Sequence, residues 1–158
     1  MSPKTHMFLF VCMGNICRSP ALAAVLQKMI AEKKPAGEFD IDSCALTAWY
    51  LGCKADPRMC CAAKKHGISI KHRAKLFEES YFQIFDHIFA VSEEVQSLLI
   101  ALARTPEEKA KIHLATKYSQ KYPNADIPDP YYGAGEGFEL VMDMAEDVCK
   151  GIYSAFCS

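Results

Sequence analysis

A chain of 158 residues, 51% hydrophobic and 23% charged, is long enough to bury its own core and too evenly mixed to be disordered or fibrous. Its formal net charge of −1, from 18 basic and 19 acidic residues, gives no global reason to expect nucleic acid or an anionic membrane as partner. No apolar segment is long enough to span a bilayer, and the N-terminal apolar run leads into Asn15 and Arg18 rather than a small-residue cleavage site, so neither a membrane anchor nor a secretory signal is expected. Eight cysteines in such a chain then read as reduced, cytoplasmic thiols, and none sits in the paired C-x-x-C spacing of a zinc site.

Strand and helix alternate along the chain. Met7 to Met13 is a near-continuous apolar run of strand length, as expected of a parallel strand covered on both faces. A helix follows, with Ser19 as a cap, Pro20 in its first turn, and Leu22, Val25, Leu26, Met29 and Ile30 at helical spacing. Phe39 to Ala45 reads as a second strand. Asp56-Pro57 is a cap and first-turn pair for a helix that runs to His66 and stops at Gly67. The stretch Ile68 to Lys75 is polar and basic around His72, Phe77 to Phe82 reads as a short helix, and Asp86 to Val91 as a third strand. Ser92, Glu93 and Glu94 open a helix that carries Val95, Leu98, Leu99 and Leu102 inward. Lys111 to Ala115 is a fourth strand, Thr116 to Gly137 a long irregular stretch stiffened by proline, and a last helix from about Phe138 presents Phe138, Val141, Ala145, Val148, Ile152 and Phe156 on one face. This order predicts a single α/β domain over 1–158, an open four-stranded parallel sheet with helices on both faces. Its site is expected at the C-terminal ends of the strands.

The first such end carries the most informative stretch of the chain, Val11-Cys12-Met13-Gly14-Asn15-Ile16-Cys17-Arg18-Ser19-Pro20. A loop at a helix N-terminus is electropositive, because unpaired N–H groups and the helix dipole favour an anion there. A thiol at its start is favoured as the thiolate, which is the nucleophilic form. Five residues separate Cys12 from Arg18, so a loop curled around a phosphoryl group lets the guanidinium close the circle and grip two oxygens through its planar fork. Met13, Gly14, Asn15, Ile16 and Cys17 would form the cradle, with Gly14 and Asn15 suited to unusual backbone angles. The competing reading is a buried structural cysteine ahead of an ordinary helix. The strand before the loop, the helix after it and the Gly-Asn pair inside it weigh against that reading.

Phosphoryl transfer to a thiolate requires that the departing oxygen be protonated, and Asp129, held between Pro128 and Pro130, offers a carboxyl group on a stiff support. The same group can later accept a proton from the attacking water. Tyr131 and Tyr132 follow directly, and with Trp49 from the second loop they would wall a slot for a flat phenyl phosphate. Taken alone, Asp-Pro is also a common turn starter and Tyr-Tyr a packing pair.

Together, the Val11–Pro20 stretch and Asp129-Pro-Tyr-Tyr-Gly133 resemble the low-molecular-weight protein tyrosine phosphatases, and the resemblance spans essentially the whole chain. It implies a flavodoxin-like sheet, no metal, no cofactor, and a two-step reaction on phosphotyrosine proteins. In that reaction Cys12 is the nucleophile, Arg18 the phosphate clamp, and Asp129 the general acid and then base. It also implies Asn15, Ser19, Ser43 and His72 as a supporting hydrogen-bond network, although His72 reads equally as an exposed loop residue. Cys17 is implied as a redox partner for Cys12; a small filler at the helix entrance is the alternative. Tyr131 and Tyr132 resemble positions that kinases modify in eukaryotic members. A monomer, with weak homodimerisation through exposed aromatics, is the expected state.

Four positions depart from the family pattern. Ser92 stands where Asp is common and Val95 where Asn is, Cys44 replaces a usual Gly, and Tyr50 stands where Asn or His is frequent, which puts rate and substrate preference in question. Arsenate reductases share such a loop but need further thiols where Phe82 and Phe89 stand. Arginine phosphatases resemble the loop with Thr at Ile16, whose added bulk should crowd a guanidinium phosphate. A catalytically dead phosphotyrosine-binding or thiol-sensing domain is the non-enzymatic alternative.

Overall fold

The computed structural model describes residues 5–133 and 135–158, with the side chain of Tyr132 outside the described set. Four strands, β1 (Thr5–Cys12), β2 (Glu38–Ala45), β3 (His87–Ala90) and β4 (Ile112–Leu114), form one parallel sheet in the order β2-β1-β3-β4. The helices are α1 (Arg18–Lys33), α2 (Pro57–Lys65), α3 (Tyr81–Ile84), α4 (Glu93–Leu102), α5 (Pro106–Ala110) and α6 (Glu136–Phe156). Helix α1 carries the chain from β1 to β2 in one direction and α4 carries it from β3 to β4 in the other. Right-handed crossovers therefore place these two helices on opposite faces. The strand order reverses at β1, and the Cys12 loop emerges at that switch point, where ligands bind in open α/β sheets.

The central strands are built as their unbroken apolar runs require. Phe8, Leu9, Phe10, Val11, Ile88 and Phe89 have no exposed surface. Helix α6 buries Phe138, Val141, Ala145, Val148 and Ile152 and lies along α1, while Phe156 is half-buried within a cluster of His87, Phe89 and Tyr118 rings. Gly151 lets it approach closely, since a Cβ there would fall 1.8 Å from the Tyr118 carbonyl oxygen.

Several local expectations are corrected. Ser19 does not cap α1; the cap position is Cys17, and Ser19 and Pro20 both lie inside the first turn, where a missing N–H is still harmless. The Phe77 to Phe82 helix shrinks to α3, because the Phe77 N–H is taken by the Ala45 carbonyl at the end of β2. Helix α4 buries Val95 and Leu99, but Leu98 and Leu102 stay about two-fifths exposed at 42% and 41%. The three-residue β4 is too short an edge to cover a wider stripe. Asp56 does cap α2, accepting from the Arg58 N–H at 2.8 Å. A short helix, α5, capped by Thr105 with Pro106 in its first turn, was not expected from the pattern.

Candidate active site

The segment from Cys12 to Arg18 is a closed ring whose carbonyl groups are tied outward. The Cys12 carbonyl accepts from Leu46 N–H at 3.1 Å, Met13 from Thr47 N–H at 3.1 Å and Thr47 Oγ1 at 2.8 Å, and Ile16 from Asp56 N–H at 2.9 Å. The Asn15 carbonyl lies 2.9 Å from His72 Nε2. With these acceptors anchored to the surrounding shell, the backbone N–H groups are left to the concave side, the arrangement that cradles an anion.

Asn15 is the keystone of the ring. It is fully buried and sits in the left-handed region at φ 59°, which asparagine tolerates better than most residues. Its Nδ2 donates to Ser19 Oγ at 2.8 Å and to Ser43 Oγ at 3.0 Å, while its Oδ1 accepts from Lys75 N–H at 3.0 Å. This accounting fixes the amide orientation, since only the NH2 end can donate twice. Because Ser19 Oγ accepts from Asn15, its own hydrogen is free to donate to Cys12 Sγ, 2.9 Å away. The Asn15 N–H reaches the same sulfur at 3.1 Å. Two donors thus converge on Cys12, whose residue is 2% exposed. Gly14 serves a different purpose from the one its sequence suggests. Its φ is not positive; instead a Cβ there would lie 2.8 Å from the Tyr50 ring.

Arg18 is 8% exposed, and its guanidinium spans the ring and the far loop. One end donates to the Ile127 carbonyl at 3.1 Å, and the other lies 3.7 Å from Asp129 Oδ2. Asp129 caps a short 3-10 turn, Pro130–Tyr132, by accepting from Tyr131 N–H at 3.0 Å, and its side chain is 40% exposed. Cys12, Arg18 and Asp129, far apart in the chain, line one pocket together with Met13, Ile16, Cys17, Trp49, Tyr50 and Tyr131. Trp49 stands at its rim, 66% exposed. The Tyr50 and Tyr131 rings are 5.6 Å apart, and Arg58 covers the Tyr131 face at 5.3 Å. The expected contribution of Tyr132 to this wall concerns a side chain outside the described residues.

Burial sets the protonation of the surrounding groups. The Cys17 thiol is pushed well up, first by desolvation and then by Asp56 and Asp129, so it rests as the neutral thiol. The buried Cys44 thiol is raised for the same first reason, with Cys12 adding to it. Burial lowers His72 below the ordinary histidine range, which keeps the ring neutral and leaves an Nε2–H to donate to Asn15. Among the described residues no group of three His, Cys, Asp or Glu side chains is arranged to hold a metal ion.

A model of the low molecular weight phosphotyrosine protein phosphatases matches residues 7–156. The chain belongs to this family. The low molecular weight phosphotyrosine protein phosphatase of Schizosaccharomyces pombe is 39% identical over 155 residues, covering 94% of this chain and 98% of that protein. Its counterpart from Gallus gallus is 37% identical over 143 residues, 90% of each chain. Among solved structures, a protein tyrosine phosphatase from Entamoeba histolytica, with Hepes in its active site, superposes with a TM-score of 0.90 at 33% identity, covering 94% of this chain and 95% of that one. A Drosophila arginine phosphatase superposes with a TM-score of 0.83 at 28% identity, covering 96% and 98%.

Seen as a phosphatase of this family, the chain's four departures fall in different places, with Val95 buried in α4. Ser92 is the cap of α4, accepting from Val95 N–H at 3.3 Å. The carboxylate that acts on His72 is instead Asp42, itself paired with Lys75. Cys44 is sealed inside the sheet with no exposed surface. Only Tyr50 reaches the pocket, and no local pattern marks it; its partners Gly14 and Tyr131 are 36 and 81 positions away. Thr47 likewise joins the site through the tertiary fold alone, as does the Ile127 carbonyl.

Proposed function

We propose that this chain hydrolyses phosphotyrosine in proteins and small aryl phosphates without a metal or cofactor, with Cys12 as nucleophile, Arg18 as phosphate clamp and Asp129 as general acid and base. The observation that carries this reading is the placement of Cys12 Sγ at the floor of a ring of anchored carbonyls, with Arg18 and Asp129 in the same pocket. A phosphoryl group seated in the ring would receive its N–H groups, and the Arg18 fork would bind two equatorial oxygens, whose charge grows in the transition state. The Cys12 sulfur then forms a bond to phosphorus as the aryl oxygen leaves, taking the Asp129 proton. In the second step water attacks the cysteinyl phosphate, Asp129 removes a proton, and inorganic phosphate and the thiolate are released. Ser19 and Asn15 act by stabilising the sulfur as thiolate, before it attacks and again as it departs in the second step, and Ser43 and His72 hold Asn15.

Trp49, Tyr50 and Tyr131 favour a planar aromatic ring above the sulfur, and Ile16 in the cradle supports phosphotyrosine over phosphoarginine. The cytoplasm is the proposed compartment, consistent with eight free thiols; no helix among the described residues is long and apolar enough to cross a membrane. Under peroxide, Cys12 oxidised to the sulfenic acid would condense with the Cys17 thiol to a disulfide and release water, a step slowed by the raised Cys17. We read residues 1–158 as one domain and the working state as monomeric. The deciding experiment compares phosphotyrosine, phosphoserine and phosphoarginine peptides in EDTA. Turnover of phosphotyrosine that falls by about 10⁴-fold or more in Cys12→Ser is expected, the scale of a lost nucleophile. Binding without turnover, or a preference for phosphoarginine, would overturn the assignment.

A further inference from the structure

Behind the phosphate ring, the loop after β2 meets the basic stretch before α3 in one antiparallel bridge that sets Lys54 opposite Arg73. Side chains directly opposite in such a bridge project to one side, and like charges so placed repel. Lys71 lines the same open groove, of about 790 Å³, whose apolar floor includes Pro57, Cys60 and Ile70. The groove has no carboxylate in its lining, and among the described residues none of the three cations has a salt bridge. Arg73 donates to the Gly52 carbonyl at 2.9 Å, which holds the guanidinium in place, and all three residues are exposed. In a chain with a net charge of −1 this concentration is local. Three uncompensated cations over an apolar floor are complementary to a chain that carries carboxylates on one side and an aliphatic side chain on the other.

We propose that this groove docks an extended acidic segment of a protein substrate, its carboxylates on Lys54, Lys71 and Arg73 and an aliphatic side chain against Pro57 and Ile70. The link to substrate rests on the phosphatase reading above; the docking itself does not. The groove abuts the catalytic ring: His72, which lines it, reaches the Asn15 carbonyl, and Asp56, next to Ala55 in its wall, reaches that of Ile16. A docked segment therefore lies one hydrogen bond behind the phosphate cradle.

The test uses a fluorescent peptide of alternating Glu, Asp and Leu that contains no phosphotyrosine, followed by anisotropy on the full chain. Saturable binding is expected, weakened about tenfold or more by the double change Lys54→Glu, Lys71→Glu. Raising salt from about 0.05 to about 0.3 M should weaken it several-fold. Hydrolysis of p-nitrophenyl phosphate by the double variant should stay within about twofold, since neither lysine touches the pocket. A phosphotyrosine peptide with the same acidic tail should show a kcat/KM advantage over a neutral-tailed one in the wild type alone. Equal binding of a peptide with Gln and Asn in place of the acids, unchanged binding by the double variant, or charge-dependent binding to phosphatidylserine vesicles in place of the peptide would each overturn the proposal. Peptide binding with no phosphomonoester hydrolysis would instead sink the phosphatase reading and leave the docking site standing.

Discussion

The two halves of the pocket are held in opposite ways. On the Cys12 side, Asn15, Ser19 and Ser43 are at most 2% exposed, Arg18 is 8% exposed, and the ring carbonyls are anchored to three separate segments. On the Asp129 side, the carboxyl group is 40% exposed and is fixed by one backbone N–H and a 3.7 Å approach to Arg18. The difference fits the roles proposed above for the two halves. A phosphate cradle gains from donors that are already oriented, because no reorganisation is then needed in the transition state. A general acid must meet leaving groups of varied shape and exchange protons with water, so it stands on a proline-stiffened but open loop. The first half should therefore couple activity to stability, and the second should not.

Beyond loss of the nucleophile itself, Arg18→Lys should produce the largest change in Michaelis kinetics, a fall in kcat of about 10²–10³-fold, because a lysine cannot supply two parallel donors. Asp129→Asn should lower kcat with phosphotyrosine by about 10²-fold or more. Its urea midpoint should match the wild type, as expected of an exposed side chain; a large loss of stability would break the contrast between the halves. Asn15→Ala should do both kinds of damage. It strips donors from Ser19 and Ser43 and an acceptor from Lys75, and it strains a residue at φ 59°, so a loss of about 1–3 kcal/mol in denaturation is expected together with a fall in kcat.

The smallest expected effect is on pH dependence. His72 is lowered by burial, and His113 is lowered to about 4 by burial and the adjacent His87. Below about pH 6.5 the unfolded chain binds more protons than the folded one, so stability should fall as pH drops from there towards 4. His66 works the other way. Raised by Glu139 and Glu146, it contributes stability that is present below about 6.5 and lost as pH rises. Urea unfolding across this range should show a maximum near pH 6.5, and His113→Asn should flatten its acid limb; a stability that keeps rising into acid would contradict these directions.

The sequence alone determined whatever depends on neighbours along the chain. The apolar runs of β1 and β3, the Asp56-Pro57 start of α2 and the face of α6 that buries Phe138 through Ile152 are local patterns with one physical solution. The seven-residue frame from Cys12 to Arg18 is also local, because a helix start brings both ends of the loop to one point. Tertiary structure decided the rest. Ser19 reads as a cap from its position, yet its hydroxyl turns to Cys12 because it accepts from the Asn15 amide, which Ser43 on β2 holds in place. Gly14 reads as a residue for unusual backbone angles, and it is in fact the space that Tyr50 occupies. Leu98 reads as core, and the shortness of β4 leaves it in water. The pairing of Lys54 with Arg73 joins two polar loops that carry no periodic signal at all. Apart from the short links of Ser19 to Asn15 and Cys12, the deciding contacts join residues whose separation lies outside any helical or strand repeat, so only the folded chain can specify them.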